Sequence, residues 1–213
     1  MSAPRTPGAA GNVPPEGLDR PVQDGRVPAD PADLLAAWLP ADDDPERPVC
    51  TLSTVDDEGV PDARTVLVSG RRGAGVTFHT EGSSRKARQL AARPVAAVVV
   101  RWPELARQVV LRGRVERTDP GDEALAFARR SRYLQLLAGI NTDALAAEDR
   151  ATRERVYARI DAETPDPPQP ESWTGYALVP HEVTFWEGSD AAPSRRARYT
   201  RAGDGWSASF VAG

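Results

Sequence analysis

Residues 49–92 read VCTLSTVDDEGVPDARTVLVSGRRGAGVTFHTEGSSRKARQLAA, and this stretch decides the fold class. Val49-Cys50-Thr51-Leu52-Ser53-Thr54-Val55 is rich in β-branched residues and reads as a strand. Asp56-Asp57-Glu58-Gly59 is turn chemistry, and Arg64-Thr65-Val66-Leu67-Val68 follows as the hairpin partner. Gly70 to Gly75 predicts a glycine-rich turn into a further strand, Val76-Thr77-Phe78-His79. Ser83-Ser84 then supplies a capping hydroxyl for a helix from Arg85 to about Ala92, which Pro94 stops.

The same alternation continues on both sides. Upstream, Asp30-Pro31 opens a helix carrying Leu34, Leu35, Trp38 and Leu39, ended by Pro40 and the acidic run Asp42-Asp43-Asp44. Residues 1–29 are rich in Pro, Gly and Ala without periodicity and predict a disordered or surface-draped tail. Downstream, Val95–Val100 and Gln108–Val115 are apolar strands, with Gly113 a bulge or close-approach point. Residues 120–163 are expected to be helical, as two helices broken near Gly139-Ile140-Asn141, and Pro165–Pro170 is a stiff linker. Gly175–Val179, Val183–Trp186, Arg198–Thr200 and Trp206–Val211 read as four more strands. Many short strands with one helical insertion favour a small barrel over a doubly wound α/β sheet, so residues 30–213 form one mainly β, α+β domain.

Composition narrows the function classes. A formal net charge of −4 gives no general attraction to nucleic acid or anionic membranes. No apolar run is long enough to span a bilayer, and the first residues lack the apolar stretch of a signal peptide, so a cytoplasmic location is expected. Cys50 is the only cysteine, and His79 and His181 are the only histidines, which leaves no metal centre to expect.

The strongest chemical signal is Ser83-Ser84-Arg85-Lys86. Free backbone N–H groups, a helix dipole, a hydroxyl and two cations converge there, as a phosphate requires; a capped helix with solvated charges is the plainer alternative. Arg64 begins a strand that should lie nearby. Lysine and arginine together number 27, yet Lys86 is the only lysine, which suggests either a wanted point charge or chance survival. Gln108 needs a hydrogen-bond partner at the head of an apolar strand, either a backbone group or the edge of a planar cofactor. Trp186 reads by default as a core residue. The Gly70–Gly75 spacing fits neither a dinucleotide fingerprint nor a P-loop.

In order, Arg64–Val68, Phe78-His79-Thr80, Ser84-Arg85-Lys86, Trp102, Arg107-Gln108-Val109, Trp173, Gly175-Tyr176 and Phe185-Trp186 resemble the pyridoxamine 5′-phosphate oxidase family, over roughly residues 30–213. The resemblance implies a homodimeric split β-barrel with FMN at the subunit interface, a small-molecule substrate and O₂ as oxidant. By position, Arg64, Ser84, Arg85 and Lys86 would hold the FMN phosphate. Thr65, Val66, Leu67, Ser69, His79 and Thr80 would line the ribityl chain and ring. Gln108 would reach the flavin from one subunit, and Trp186 and Arg196 from the other. His79 stands where the family has tyrosine.

The departures fall on the substrate side. Ser69 replaces the family's lysine, and Ala126 and Leu134 stand where a tyrosine and a serine hold the substrate phosphate, leaving Arg130. Ala192-Pro193-Ser194-Arg195-Arg196 aligns with Arg-Leu-His-Asp-Arg, so the last arginine alone survives. Each lost charged hydrogen bond costs about 1.5–3 kcal/mol. The expectation is an FMN-dependent oxidase of another substrate, such as a specialised metabolite, with Arg130, Ser194 and Arg195 as candidate contacts and no catalytic residue identified. The phenazine-biosynthesis oxidases, which carry serine at the position of Ser69, are a partial analogy. A remodelled pyridoxamine-phosphate oxidase and a non-catalytic flavin-binding module are the alternatives.

Overall fold

The computed structural model describes residues 20–42, 44 and 46–213. Nineteen residues of the expected tail, and Asp43 of the acidic run, lie outside the described residues. The helices are α1 (Pro21–Asp24), α2 (Pro31–Trp38), α3 (Arg85–Ala92), α4 (Pro120–Ala128), α5 (Arg132–Ile140), α6 (Asp143–Ala146) and α7 (Arg150–Glu163). The strands are β1 (Val49–Val55), β2 (Pro61–Leu67), β3 (Gly70–Arg72), β4 (Gly75–Glu81), β5 (Val95–Trp102), β6 (Arg107–Arg117), β7 (Trp173–Glu187), β8 (Arg195–Ala202) and β9 (Gly205–Ala212). All pair antiparallel in the order β2-β1-β5-β6-β7-β4-β3, with β8 on β7 and β9 on β8. This is the split β-barrel of an α+β protein.

The strand β7 makes the split. Its first residues, Trp173–Ala177, pair with β4, and its last, Glu182–Glu187, pair with β8, while β6 runs along both parts. The change of neighbour coincides with a bulge between Arg112 and Gly113. A β-carbon at Gly113 would collide with Val179 O, so only glycine lets β7 bend there. Two expected strands are thus one long bent strand. Likewise Gly70–Gly75 is not simply a turn: Gly70–Arg72 pairs with Gly75–Thr77 around Gly73 and Ala74. The helical insertion holds four helices rather than two, because Ser131, Thr142 and Asp149 each cap a new start.

One face of the sheet closes on a core of Leu52, Phe78, Val98, Leu111, Phe185 and Tyr199, plugged by Leu34, Leu35 and Trp38 of α2. The described part of the tail, from Arg20, is fastened rather than loose. Val22 is fully buried, and Glu187 Oε2 accepts from the Val22 and Gln23 backbone N–H groups while its Oε1 accepts from Arg107 Nε at 2.9 Å. A buried carboxylate needs such donors, and the first turn of α1 provides them.

Candidate functional site

Residues on β2 alternate faces, and Asp62, Arg64 and Val66 turn toward the core side with their partners Thr54, Leu52 and Cys50. Arg64 therefore reaches the barrel rim where α3 begins. Its Nη1 donates to Thr54 Oγ1 at 2.6 Å, and its Nη2 to Asp62 Oδ2 at 2.7 Å and Gln89 Oε1 at 2.9 Å. Thr54 Oγ1 donates to the same Gln89 oxygen. Arg85 Nε lies 3.2 Å from Asp62 Oδ2. Across the rim, Ser84 caps α3 by accepting from Ala87 N, and Thr80 Oγ1 lies 3.3 Å from Ser84 Oγ. Lys86 Nζ donates to Thr80 Oγ1 at 3.0 Å. Burial and the nearby Arg64 charge push the Lys86 ammonium below its ordinary pKa.

Three cations and a helix N-terminus thus share one rim, with Asp62 the only carboxylate bonded to them among the described residues. The donor set fits a phosphate group: two guanidinium forks, one ammonium, two hydroxyls and free N–H groups. The sequence joined Ser84, Arg85, Lys86, Thr80 and Arg64 correctly in space. It missed Thr54, Asp62 and Gln89. Gln89, only 4% exposed, was legible as a polar residue on the inward face of an amphipathic helix, three positions after Lys86.

The next residue back along β4 serves a second site. Thr80 points to the rim, so His79 points to the opposite side. Its Nδ1 lies 2.8 Å from Ser69 Oγ, and its ring stacks on Trp173 at 5.4 Å and 9°. Burial, with the Arg130 charge adding to it, pushes the imidazole pKa down to about 4. Arg130 lies over the same indole at 4.3 Å, and burial lowers its own pKa to about 10. No acid pairs with Arg130 among the described residues. Ser69 lines two adjoining cavities. One, of about 460 Å³, includes Leu67, Ala126, Arg130 and Leu134; the other, of about 260 Å³, includes His79, Thr118 and Ala126. The positions marked as rewritten in the sequence therefore lie together around real space.

Gln108, Trp186 and Arg196 form a third group. They stand in one cross-strand row over β6, β7 and β8, on the face opposite buried Val109, Phe185 and Ala197. Trp186 is half-buried on this outer face, so the default expectation of core packing fails; Phe185 takes the core position instead. The Gln108 amide makes no side-chain hydrogen bond among the described residues, and Arg196 Nη1 donates to Ala212 O. Thr65 is exposed on the outer face opposite Thr51, and Val66 packs on the core.

Arg195 and Ser194 stand apart from Arg130. Arg195 Nη1 donates to Gln23 O, and its guanidinium covers the Phe210 ring at 3.9 Å. That commits it to holding α1 and β9. Ser194 meets the last residue, Gly213, whose N–H donates to its carbonyl.

A family model for pyridoxamine 5′-phosphate oxidase matches residues 44–164, and one for the pyridoxine 5′-phosphate oxidase C-terminal dimerisation region matches residues 173–212. The chain belongs to the pyridoxamine 5′-phosphate oxidase family. A pyridoxine/pyridoxamine 5′-phosphate oxidase of Burkholderia lata is 39% identical over 173 residues, covering 81% of this chain and 78% of that one. That of Burkholderia mallei is 39% identical over 166 residues, 76% and 78% of the two chains. Among solved structures, PhzG from Burkholderia lata 383, in complex with tetrahydrophenazine-1-carboxylic acid, superposes with a TM-score of 0.75. It shares 24% identity over 91% of this chain and 96% of that one. A pyridoxamine 5′-phosphate oxidase-related, FMN-binding protein from Nostoc punctiforme gives 0.62 at 21% identity, over 78% and 87%. Both share the split barrel seen here.

Proposed function

We propose that the protein is an FMN-dependent oxidase that works as a homodimer and oxidises a small molecule other than pyridoxamine phosphate, such as a specialised metabolite, with O₂ as acceptor. The observation that carries this reading is the rim of Arg64, Arg85, Lys86 and the α3 N-terminus, where half-buried Lys86 has no ion-pair partner among the described residues. Family membership names the group such a rim would hold. When bound, FMN supplies the redox chemistry, taking a hydride and passing electrons to O₂. The chain's own part is to bind and orient. Ser84, Arg85, Lys86 and Arg64 hold the phosphate, Thr65, Val66, Leu67, Ser69, His79 and Thr80 border the ring and ribityl chain, and Gln108, Trp186 and Arg196 complete the site.

Those last three stand in a separate row from the rim, which supports a site finished by a second copy of the chain. The match to a dimerisation region over residues 173–212 supports the same arrangement. So does the apolar outer face of the sheet, where Val49 and Val95 are exposed and Val99 and Val110 half-exposed. Arg130 is the substrate contact best supported. Arg195 and Ser194 remain candidates from the partner side, with Arg195 the weaker because its guanidinium is already engaged.

The test is the absorbance spectrum of freshly purified protein. A flavin spectrum is expected, or its appearance on adding FMN; a colourless protein with no affinity for FMN overturns the reading. A second reading, oxidation of pyridoxamine phosphate itself, is favoured by the names of the 39% identical relatives. Ala126, Leu134 and Ser69 speak against it, since they remove three polar contacts from one cavity. Turnover of pyridoxamine phosphate at rates typical of metabolic enzymes would restore it. A flavin bleached by no candidate reductant would instead indicate a binding module.

A further inference from the structure

His79 is 7% exposed, and its two ring nitrogens have unequal surroundings. Nδ1 has Ser69 Oγ at 2.8 Å. Nε2 is buried with no hydrogen-bond partner among the described residues, and so is Thr118 Oγ1. Both atoms press on the space above Gly175, where a β-carbon would collide with them. With its pKa pushed down to about 4, the ring is neutral at pH 7 and carries one N–H. On Nε2 that proton would be a buried donor without an acceptor. On Nδ1 it meets the Ser69 oxygen, leaving at Nε2 a bare acceptor beside a hydroxyl that can turn toward it. An orphaned buried N–H is the rarer and costlier defect, so the Nδ1–H tautomer is favoured. Ser69 Oγ then accepts from His79, and its own proton must point elsewhere. Ser69 borders both cavities, and Arg130 lines the larger one with no acid on it among the described residues.

We propose that His79 is a positioning residue: it donates Nδ1–H to Ser69 Oγ and so turns the Ser69 hydroxyl into the cavity as a donor to a carboxylate on the substrate, beside Arg130. This rests on the oxidase reading and names its substrate class. One hydroxyl and one planar guanidinium match the two oxygens of a carboxylate. A phosphate dianion is less well served, because Leu67, Ala126 and Leu134 offer it no donors and Asp42, Asp44 and Glu46 line the same cavity.

The test uses the FMN-loaded protein, ¹⁵N-labelled at histidine, with exposed His181 as the second and reference ring. At pH 7 the imidazole ¹⁵N spectrum should show His79 protonated at Nδ1 and bare at Nε2; a protonated Nε2 overturns the proposal. The same protein is then titrated with 1-naphthoate and with its neutral isostere 1-naphthamide, following the flavin absorbance. Naphthoate should bind at least about tenfold more tightly than the amide, and Ser69→Ala should remove at least about tenfold of that affinity. His79→Asn, whose amide N–H can stand where Nδ1–H stood, should retain most of the affinity, while His79→Phe should match Ser69→Ala. Failure of naphthoate to bind, equal binding of acid and amide, or indifference to Ser69→Ala overturns the proposal even if the His79 variants do not fold. Failure to take up FMN would strike the oxidase reading instead, and the tautomer would still be measurable in the flavin-free protein.

Discussion

The phosphate rim and the Ser69 cavity lie on opposite sides of β4, served by neighbouring residues, Thr80 and His79. The rim is mostly local. Thr80, Ser84, Arg85 and Lys86 follow one another through a strand end and a helix start, and Arg64 alone arrives from another hairpin. The cavity is assembled from far apart: Ser69 after β2, Thr118 after β6, Ala126 and Arg130 in the helical insertion, and Trp173 and Gly175 at the head of β7. A local constellation is held by one cap and one turn of helix, whereas a dispersed one can change a residue at a time without disturbing the barrel. Here the charged rim agrees with its family and the cavity departs from it.

Several changes would break or sharpen that contrast. The largest effect is expected at the rim: Lys86→Ala should weaken FMN binding by roughly ten- to a hundredfold, the worth of one charge-assisted phosphate contact. Riboflavin, which lacks the phosphate, should bind both proteins alike, as flavin fluorescence quenching can establish. Equal losses for the two flavins would show that Lys86 does not touch the phosphate.

On the cavity side, the buried imidazole makes stability depend on pH. Its folded pKa of about 4 lies below the 6.5 of the unfolded chain, so protonation opposes folding. The stability is fully present above about pH 6.5 and is lost as pH falls toward 4, by on the order of 3 kcal/mol for this group. Urea midpoints of wild type and His79→Asn, compared across that window, should converge as pH falls; parallel curves would contradict a depressed histidine. Gly175→Ala should cost about 1–3 kcal/mol, because Thr118 and His79 occupy the space its methyl needs. Thermal melting would register this, and an unchanged midpoint would mean that the two side chains move freely. The smallest effect is expected from Asp62→Asn. It keeps a partner for Gln89 and Arg64 but frees Arg85, so FMN affinity should rise only a few-fold, as befits an exposed ion pair.

How much of this was legible follows the same division. Ser84, Arg85 and Lys86 could be read together because a helix N-cap is a short-range pattern. Gly113 could be read because a glycine inside an apolar strand marks a bulge or a close approach of another backbone. The bend of β7 was less legible. Residues 180–182 interrupt the apolar pattern, which reads as a turn between two strands, yet the bulge opposite lets the ladder continue through them. Arg195 looked like a substrate contact until α1 took its hydrogen bond, and Trp186 like a core residue until strand alternation gave that place to Phe185.

By itself the sequence determined the strands, the capped helix and the cation set of the rim, since periodicity, capping and charge act over a few residues. Through ordered motifs it also pointed to the family. Only the tertiary structure decided that His79, Ser69, Trp173 and Arg130 share one cavity wall and that Asp62 and Gln89 hold Arg64. Most of those contacts join residues ten to a hundred positions apart in the chain, and the closing of the barrel brings them together.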